Sequence, residues 1–353
     1  MKKIKVMIVD DSALVRQTMQ SILPEEDGFE TLTASNPVFA ENKFAAFSPD
    51  VMILDLQMPQ MDGITYLKKI MAEKPLPVII CSSYSQHNST NAISALDHGA
   101  LEIIEKPKLG TKEFIEESKA NIQDTVRAAV NAKVGKKIPE KTILVTSKLT
   151  ADVILPAGKA GNIKTTEKVI VVGASTGGTE ALKDFLMMIP DNMPPILIVQ
   201  HMPKHFTKAF AERLNTLSKA HVQEAVNGMK MKRGDVFVAP GDDHMLLKTS
   251  GTEYYIEVRT GPLVSRHRPS VDVLFRSAAR FAGKNAIGII MTGMGDDGAR
   301  GMKEMKDNGA YTIAQDEKSC IVYGMPKEAV KRGAVDEVLP LLKIAPRVID
   351  LVR

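Results

Sequence analysis

Short apolar runs and amphipathic stretches alternate along the first 132 residues of the chain. The apolar runs have the length of strands, and Val15, Met19 and Ile22 give the first amphipathic stretch one apolar face at helical spacing. Strands that alternate with helices predict a parallel sheet covered on both faces. The predicted strands are IKVMIV (4–9), ETLTA (30–34), VMILD (51–55), PVIIC (77–81) and LEIIE (101–105). The predicted helices are 12–23, 37–47, 64–73, 88–98 and 111–132.

The same alternation starts again after residue 168, which predicts a second, doubly wound α/β unit. Its predicted buried strands are VIVVG (169–173), PILIVQ (195–200) and AIGIIMTG (286–293). Helices are predicted near 176–189, 205–218 and 296–308. The stretch 222–260 shows shorter runs and turn residues, which favour a few antiparallel strands.

Between the two units the composition changes to lysines with scattered Gly, Pro, Thr and Ala, which indicates a linker. The sequence therefore predicts three parts. They are a (βα)5 domain at 1–132, an interdomain linker at 133–167 and a second α/β domain at 168–353.

Composition and charge narrow the class of protein. A net charge of +4 over 353 residues is weak, so no nucleic-acid partner is predicted. The cysteines are Cys81 and Cys320, too few for a disulfide framework or a zinc site. Asp10 and Asp11 interrupt the apolar start before a signal peptide is complete, and no run approaches the roughly 18 apolar residues that cross a membrane. We expect a cytoplasmic protein without membrane insertion.

Polar residues follow four of the predicted strands in the first domain. Asp10 and Asp11 follow the first strand, Asp55 ends the third, and Ser82 and Lys106 follow the fourth and fifth. The carboxyl ends of parallel strands meet at one edge of a sheet. Three carboxylates at that edge repel one another, and Mg²⁺ relieves such repulsion through oxygen ligands. Any one of these acids alone is better explained as a solvated turn residue or a helix cap, and it is the ordered set at the ends of four strands that indicates a site.

The first domain closely resembles the receiver domains of two-component response regulators, from about Lys3 to Ala132. The segments that carry the resemblance are VDDS (9–12), LDLQMPQMDG (54–63), Ser82 and EKP (105–107). The resemblance implies that Asp55 is phosphorylated by a histidine kinase and that Ser82 and Lys106 respond to the phosphate.

The same resemblance implies a metal site for the phosphorylation reaction. Asp10, Asp11 and Asp55 would hold Mg²⁺ together with a backbone oxygen near Gln57. Gln57 departs from the family pattern, in which this position usually carries an acid. We expect this change to tune metal affinity or the lifetime of the phosphoryl group.

In the second domain, Gly173-Ala174-Ser175-Thr176-Gly177 fits the G-x-S-x-G pattern of a serine nucleophile, between a predicted strand and a predicted helix. The backbone N–H of Thr176 is a candidate oxyanion donor. His201, which ends the next strand, is the best candidate for the base. Asp296 and Asp297 are candidates for an orienting acid, and Asp297 is preferred.

Other readings of these residues remain open from the residues alone. A glycine-rich turn between a strand and a helix also binds phosphate or dinucleotides, although such a site usually has an acid where this chain has Gln200-His201. His205, His244 and His267 are alternative bases. Cys320 is an alternative nucleophile, although a buried thiol is the expectation there.

From about Lys168 onward the chain closely resembles the catalytic domain of chemotaxis protein-glutamate methylesterases. The matching segments are IVVGASTGGTEAL (170–182), VQHMP (199–203), VFVAPGDDHM (236–245), RHRPSVDVLFRSAA (266–279), MTGMGDDGARGM (291–302) and AQDEKSCIVYGMP (314–326). The resemblance implies hydrolysis of glutamate γ-methyl esters on methyl-accepting chemoreceptors, and deamidation of selected receptor glutamines. It also implies that the esterase reaction needs no cofactor.

Residue by residue, the resemblance makes Ser175 the nucleophile, His201 the base and Asp297 the orienting acid. It adds the backbone N–H of Met294 to that of Thr176 as an oxyanion donor. The two-domain layout leads to a hypothesis about regulation, in which the unphosphorylated receiver hinders the Ser175 cleft until Asp55 is phosphorylated. Three arginines are further expected to help an acidic receptor surface dock; they are Arg266, Arg268 and Arg276.

Overall fold

The computed structural model describes residues 3–58, 61–83, 86–107, 112–132, 148–159, 161 and 165–353. The chain forms two compact units, Met1–Lys141 and Thr142–Arg353. The exact domain boundaries stay a prediction, and residues 133–147, 160 and 162–164 of the predicted linker lie outside the described ranges. In the part of the chain that the structure describes, no helix is long and apolar enough to cross a membrane.

Within its described residues, the first unit contains a five-stranded parallel sheet in the order β2-β1-β3-β4-β5. Its strands are β1 (Ile4–Val9), β2 (Phe29–Ala34), β3 (Val51–Asp55), β4 (Val78–Ser82) and β5 (Glu102–Glu105). Its helices are α1 (Ala13–Ile22), α2 (Pro37–Phe47), α3 (Gly63–Glu73), α4 (Gln86–Asp97) and α5 (Lys112–Asn131). The predicted (βα)5 arrangement is confirmed. Because β1 pairs with β3, the residues that follow Val9 and Leu54 lie at one edge of the sheet.

Helix starts in this unit follow from the sequence. The side chain of Ser12 accepts a hydrogen bond from the backbone N–H of Val15 at the start of α1. The side chains of Asn36 and Asp62 cap α2 and α3 in the same way. Such caps satisfy backbone donors that a helix leaves unpaired at its first turn, and each contributes about 1 kcal/mol. They fix where each loop at the carboxyl edge of the sheet ends.

The second unit has a seven-stranded parallel sheet among its described residues, in the order β14-β13-β12-β6-β7-β9-β8. Its strands are β6 (Val169–Ala174), β7 (Ile196–Gln200), β8 (His221–Glu224), β9 (Asp235–Val238), β12 (Ala286–Ile290), β13 (Tyr311–Gln315) and β14 (Glu337–Leu339). Its helices are α6 (Gly178–Met187), α7 (Phe206–Leu217), α8 (Val271–Phe281), α9 (Ala299–Asp307), α10 (Met325–Lys331) and α11 (Leu341–Val352). A separate antiparallel pair is formed by β10 (His244–Ser250) and β11 (Glu253–Arg259). The predicted doubly wound unit with a small antiparallel part is confirmed.

The prediction for 222–260 was wrong for its first half. Strands β8 and β9 are parallel members of the main sheet, and β9 pairs with β7. All four residues of β9, including Val236 and Phe237, are buried, as expected of a strand covered on both faces. The short run and its neighbouring turns hid this position, because a four-residue apolar run carries little information about strand direction.

Part of the predicted linker packs on the second unit. A short 3-10 helix, Ala151–Val153, is followed by Ile154 and Leu155, which are buried against Val264 and Val273. The backbone oxygen of Leu149 accepts a hydrogen bond from the N–H of Ser265, at 2.9 Å. We call residues 148–155 the strap. The strap thus contacts both α8, through Val273, and the turn that begins at Val264, which lies beside the site described next.

Candidate active site and phosphorylation site

Three loops at one edge of the second sheet carry the predicted catalytic residues. Strand β6 lies between β7 and β12, and the three strands are parallel. Ser175 follows β6, His201 follows β7, and Asp297 lies between β12 and α9. Because the carboxyl ends of neighbouring parallel strands meet, the fold brings the three residues to the same edge.

Asp297 is the most constrained side chain at this edge. Its Oδ2 lies 2.8 Å from Nε2 of His201 and accepts the backbone N–H of Val271, also at 2.8 Å. Its Oδ1 accepts the hydroxyl of Ser270 at 2.8 Å and the N–H of Asp272 at 3.0 Å. Two of these donors belong to the first turn of α8, where the helix dipole favours a negative charge. Asp297 therefore holds both the start of α8 and the Nε2 edge of the His201 ring.

The surroundings of Asp297 keep it ionised. Its burial alone would raise the pKa, but the hydrogen bond and charge of His201, the charge of His267 and the backbone N–H of Asp272 lower the pKa to about 2. A permanently charged carboxylate stabilises an imidazolium and fixes the tautomer of the ring. With Nε2 directed at Asp297, the nitrogen that remains to accept a proton is Nδ1.

Nδ1 of His201 is buried and has no hydrogen-bond partner among the described residues. Ser175, which is 7% exposed, lies at the same edge, although no hydrogen bond joins its side chain to His201 in this structure. Gln200 links the two loops, because its Nε2 donates to the backbone oxygens of Ser175 and His201, at 3.0 and 3.1 Å. Catalytic hydrogen bonds are commonly longer before substrate binds.

The backbone N–H groups of Thr176 and Met294 have no acceptor among the described residues. The oxygen of Ser175, which belongs to the same peptide as the N–H of Thr176, accepts the N–H of Gly178 at 2.6 Å. The oxygen of Gly293, directly before Met294, accepts the N–H of Met325 at 2.8 Å. Neighbouring groups thus fix both peptides and leave the N–H groups available, as oxyanion donors must be.

Two glycines allow the loops to approach this closely. A Cβ on Gly173 would lie 2.2 Å from Cγ1 of Val271, at the start of α8. A Cβ on Gly293 would lie 2.8 Å from Cβ of Ser175 and 2.4 Å from Sδ of Met325. Both distances are far inside van der Waals contact, so these positions need glycine for a packing reason.

His267 contacts the candidate base directly. Its ring stacks on that of His201 with centroids 3.7 Å apart and an angle of 10° between the planes. Burial, and then the charge of His201, lowers the pKa of His267 to about 3. A neutral ring against one face of His201 restricts rotation of the imidazole without competing for its proton. The sequence offered His267 only as a rival base, and its role as a stacking partner was missed.

The other rivals have structural contacts. Nδ1 of His244 accepts the N–H of Ser270 at 3.3 Å, and its Nε2 lies 2.9 Å from the oxygen of Pro262. Burial lowers the pKa of His244, so the ring is a neutral support for the start of α8. Cys320 is buried, as expected, with its Sγ 4.0 Å from the oxygen of Gln315. His205 precedes α7 in the left-handed region, with a φ of 75°.

In the first unit, the predicted carboxylates also converge. The ligand oxygens of Asp10, Asp11 and Asp55 lie within 4.8 Å of one another. Nζ of Lys106 lies 2.8 Å from Oδ2 of Asp10 and 2.7 Å from Oδ2 of Asp55. Burial raises the pKa of Asp55, and Lys106 opposes this rise. Burial would lower the pKa of Lys106, but its hydrogen bonds to both carboxylates outweigh it and raise the pKa.

The remaining predicted residues of this edge lie beside Asp55. The backbone N–H of Gln57 donates to Oδ1 of Asp55 at 3.1 Å, and the Gln57 amide exchanges two hydrogen bonds with the amide of Asn88 in α4. Ser82 is buried at the end of β4. Its hydroxyl lies 3.4 Å from the oxygen of Ser83. The Gln57–Asn88 pair had no signal in the sequence, because the two residues are far apart along the chain.

One arginine has a different role from the one expected. Arg276 is 6% exposed and pairs with Glu304 and with Asp152 of the strap. It also donates to the oxygen of Leu155 at 3.0 Å. The expectation that Arg276 helps a substrate dock was therefore wrong, since its guanidinium is used to hold the strap against α8 and α9.

Fold and site together define a class of protein: a receiver-type unit with an acidic sheet edge, followed by a doubly wound α/β unit with the side chains of a serine hydrolase at one sheet edge. A family model for the CheB methylesterase matches residues 170–348, and one for the response regulator receiver domain matches residues 6–117. The chain belongs to the CheB methylesterase family and carries a response regulator receiver domain.

Full-length relatives agree with this assignment. The chain is 58% identical to protein-glutamate methylesterase/protein-glutamine glutaminase 3 of Geobacter metallireducens, over 99% of each chain. It is 55% identical to a protein of the same name, numbered 2, of Oleidesulfovibrio alaskensis, over 99% of this chain and 98% of that one. Among solved structures, the CheB methylesterase catalytic domain of Thermotoga maritima is 40% identical, with a TM-score of 0.51, and matches 52% of this chain and 98% of its own.

Proposed function

We propose that this protein hydrolyses glutamate γ-methyl esters on methyl-accepting chemoreceptors, with methanol as product, and deamidates selected receptor glutamines. The observation that carries the proposal is the His201–Asp297 pair, with Nε2 and Oδ2 2.8 Å apart, at the sheet edge where Ser175 follows β6. The names of the full-length relatives support both activities. The predicted cytoplasmic location is part of the proposal.

In the proposed reaction, Oγ of Ser175 attacks the ester carbonyl carbon while Nδ1 of His201 takes its proton. The carbonyl oxygen becomes an oxyanion that accepts hydrogen bonds from the N–H groups of Thr176 and Met294, each worth about 10²–10³ in rate at such a site. The bond to the methoxy group then breaks, and His201 returns the proton to give methanol. Water repeats these steps on the acyl-enzyme and leaves a glutamate carboxylate.

Deamidation follows the same route with a glutamine amide. The leaving group is then ammonia, which takes its proton from His201, and the acyl-enzyme on Ser175 is the same as in ester hydrolysis. Asp297 stays ionised throughout because its pKa is held near 2. It therefore stabilises the imidazolium in both reactions.

We further propose that phosphorylation of Asp55 by a histidine kinase activates the esterase. The donor set suits Mg²⁺, because the oxygens of Asp10, Asp11 and Asp55 lie within 4.8 Å of one another and hard divalent cations prefer carboxylates. These three residues and a backbone oxygen near Gln57 would hold the ion. When bound, Mg²⁺ offsets the negative charge of the carboxylates and of the phosphoryl group. Lys106, already paired with Asp55, supplies a positive charge from the protein.

The test is methanol release from methylated receptor membranes by the full chain, with and without a small phosphodonor and Mg²⁺. We expect release by the wild type that increases with phosphodonor, no release by Ser175→Ala, and basal release without stimulation by Asp55→Asn. Release that persists in Ser175→Ala would refute the nucleophile. Methanol release that is the same with and without phosphodonor would refute the proposed activation but not the esterase activity.

A further inference from the structure

A buried carboxyl that the proposed reaction does not use lies behind the candidate base. Asp272 is the second residue of α8 and is 2% exposed. Its Oδ2 accepts the hydroxyl of Ser265 at 2.9 Å, and its Oδ1 accepts the N–H of Gly301 in α9 at 2.8 Å. The side chain therefore joins α8, α9 and the turn that contains Ser265.

Asp272 also contacts the orienting acid. Its backbone N–H donates to Oδ1 of Asp297 at 3.0 Å, while Oδ2 of Asp297 faces Nε2 of His201. A change in the position of Asp272 would therefore rotate or displace the carboxylate of Asp297. This is the first connection from Asp272 to the imidazole.

The second connection runs through the turn Val264–His267. The turn is closed by two backbone hydrogen bonds between Val264 and His267, of 3.0 and 2.8 Å. Ser265 and Arg266 have φ angles of 50° and 72°, a region that costs a residue with a side chain about 1–3 kcal/mol. The hydroxyl bond from Ser265 to Asp272 restrains this unfavourable backbone. His267 is the last residue of this turn, and its ring stacks on that of His201.

Resting on the function proposed above, we propose that Asp272 is a positioning residue for the esterase reaction, which fixes the imidazole of His201 from two sides. One side is the hydrogen bond from Nε2 of His201 to Asp297. The other is the stacked ring of His267. Asp272 itself does not touch the reacting atoms; it acts through these two neighbours.

The electrostatics suit a neutral carboxyl at this position. Burial, and then the charge of Asp297, raises the pKa of Asp272 to about 7, while hydrogen bonds from Gly301 and Ser265 oppose the rise and the charge of Asp296 adds to it. The charges of Asp297 and Asp296 thus act in the same direction on the pKa of Asp272, and His201 contacts Asp297 on its other oxygen. An asparagine reproduces the neutral form, since its oxygen accepts from Gly301 and its amide donates to Ser265.

The experiment compares variants of the full chain. Asp272→Ala removes both side-chain hydrogen bonds, Ser265→Ala removes only the one to the turn, and Asp272→Asn keeps both. Ser277→Ala is the matched control, because Ser277 is also a buried hydroxyl of α8 but bonds to Leu247 and Leu274. The readouts are kcat and KM for methanol release and the free energy of unfolding in urea.

We expect kcat to fall about 10- to 100-fold in Asp272→Ala and Ser265→Ala, because a misplacement near 1 Å has about this effect. KM should stay within about threefold, and Asp272→Asn and Ser277→Ala should keep kcat within about threefold of the wild type. If Asp272→Ala does not fold, Ser265→Ala carries the comparison. A kcat of Ser265→Ala equal to that of Ser277→Ala, or a loss in Asp272→Asn as large as in Asp272→Ala, would overturn the proposal.

A spectroscopic readout separates this proposal from the proposed function. The proton between Nε2 of His201 and Asp297 should give a low-field NMR signal, assigned by its absence in His201→Gln. We expect the signal to be unchanged in Asp272→Asn and Ser277→Ala, and shifted or lost in Asp272→Ala and Ser265→Ala. If the wild type releases no methanol, the proposed function is refuted, and the NMR signal still tests whether Asp272 positions the imidazole of His201. A signal identical in all four variants would refute the positioning role.

Discussion

Replacement of Asp297 by asparagine tests the proposed site most directly, because four donors converge on its two oxygens. Oδ1 accepts from Ser270 and from the N–H of Asp272, and Oδ2 faces His201 and the N–H of Val271. An asparagine replaces one of the two oxygens by an NH₂ group. In either orientation, that NH₂ group faces one of the two backbone N–H groups.

The size of the effect follows from this geometry. A buried N–H without an acceptor costs about 1–3 kcal/mol, so the free energy of unfolding should fall by about that amount. If the NH₂ group faces His201, Nε2 must accept and the ring proton moves to Nδ1, which is the nitrogen needed as a base. With the opposite orientation, the imidazolium loses its charged partner. We expect kcat to fall about 10³–10⁴-fold, as when the wrong tautomer is imposed in other serine hydrolases.

The assay is methanol release at saturating substrate, together with unfolding in urea. The matched control is Asp235→Asn, a buried aspartate at the start of β9 whose side chain accepts the N–H of Lys232. The control should lose some stability and keep kcat. A kcat for Asp297→Asn within about tenfold of the wild type would contradict the role of Asp297, since a merely structural acid would change stability without changing kcat.

Three further predictions follow from other contacts. Gly293→Ala should lower kcat at least about tenfold, because the new Cβ would lie 2.8 Å from Cβ of Ser175; unchanged methanol release would refute the packing argument. Lys106→Met should lower the Kd for Mg²⁺ at least about threefold in calorimetry, because Nζ no longer occupies Oδ2 of Asp55 at 2.7 Å; an unchanged or weaker affinity would contradict it. Between about pH 4 and 7, folded Asp272 holds a proton that the unfolded chain has released. The wild type should therefore lose stability relative to Asp272→Asn as the pH rises through this window in urea titrations, and parallel curves would contradict the raised pKa.

Much of the site could be predicted from the sequence because its residues follow strands. A strand and its carboxyl end can be read from an apolar run, and parallel pairing then brings Ser175 and His201 together without further information. The same logic places Asp10 and Asp55 at one edge of the first sheet. Asp296 and Asp297 follow the same strand, so the pattern offers both; Asp297 was preferred, and the resemblance implies the same residue.

The contacts that support the catalytic side chains could not be predicted from the sequence. They join residues that are far apart along the chain, and hydrophobic periodicity and short motifs give no information about such pairs. Asp272 lies in a segment, 266–279, for which the sequence predicted no helix, and only the packing of α8 against the β12 loop shows that it is buried beside Asp297. His267 was offered by the sequence only as an alternative base, and the turn that carries it has positive φ angles at Ser265 and Arg266, where no glycine marks them in the sequence. The partners of Arg276 are likewise set by tertiary packing alone.

The strap changes where the second unit can be cut. A fragment that begins at Lys168, the predicted domain start, would lack Ile154 and Leu155 and would expose the apolar side chains of Val264 and Val273 to water. It would also lose the acceptor for the N–H of Ser265. A protease that cleaves before Lys148 would leave these contacts intact, whereas cleavage after Leu155 would separate them from the catalytic fragment. A fragment that keeps the contacts of the catalytic unit must therefore begin within the predicted linker, before the strap.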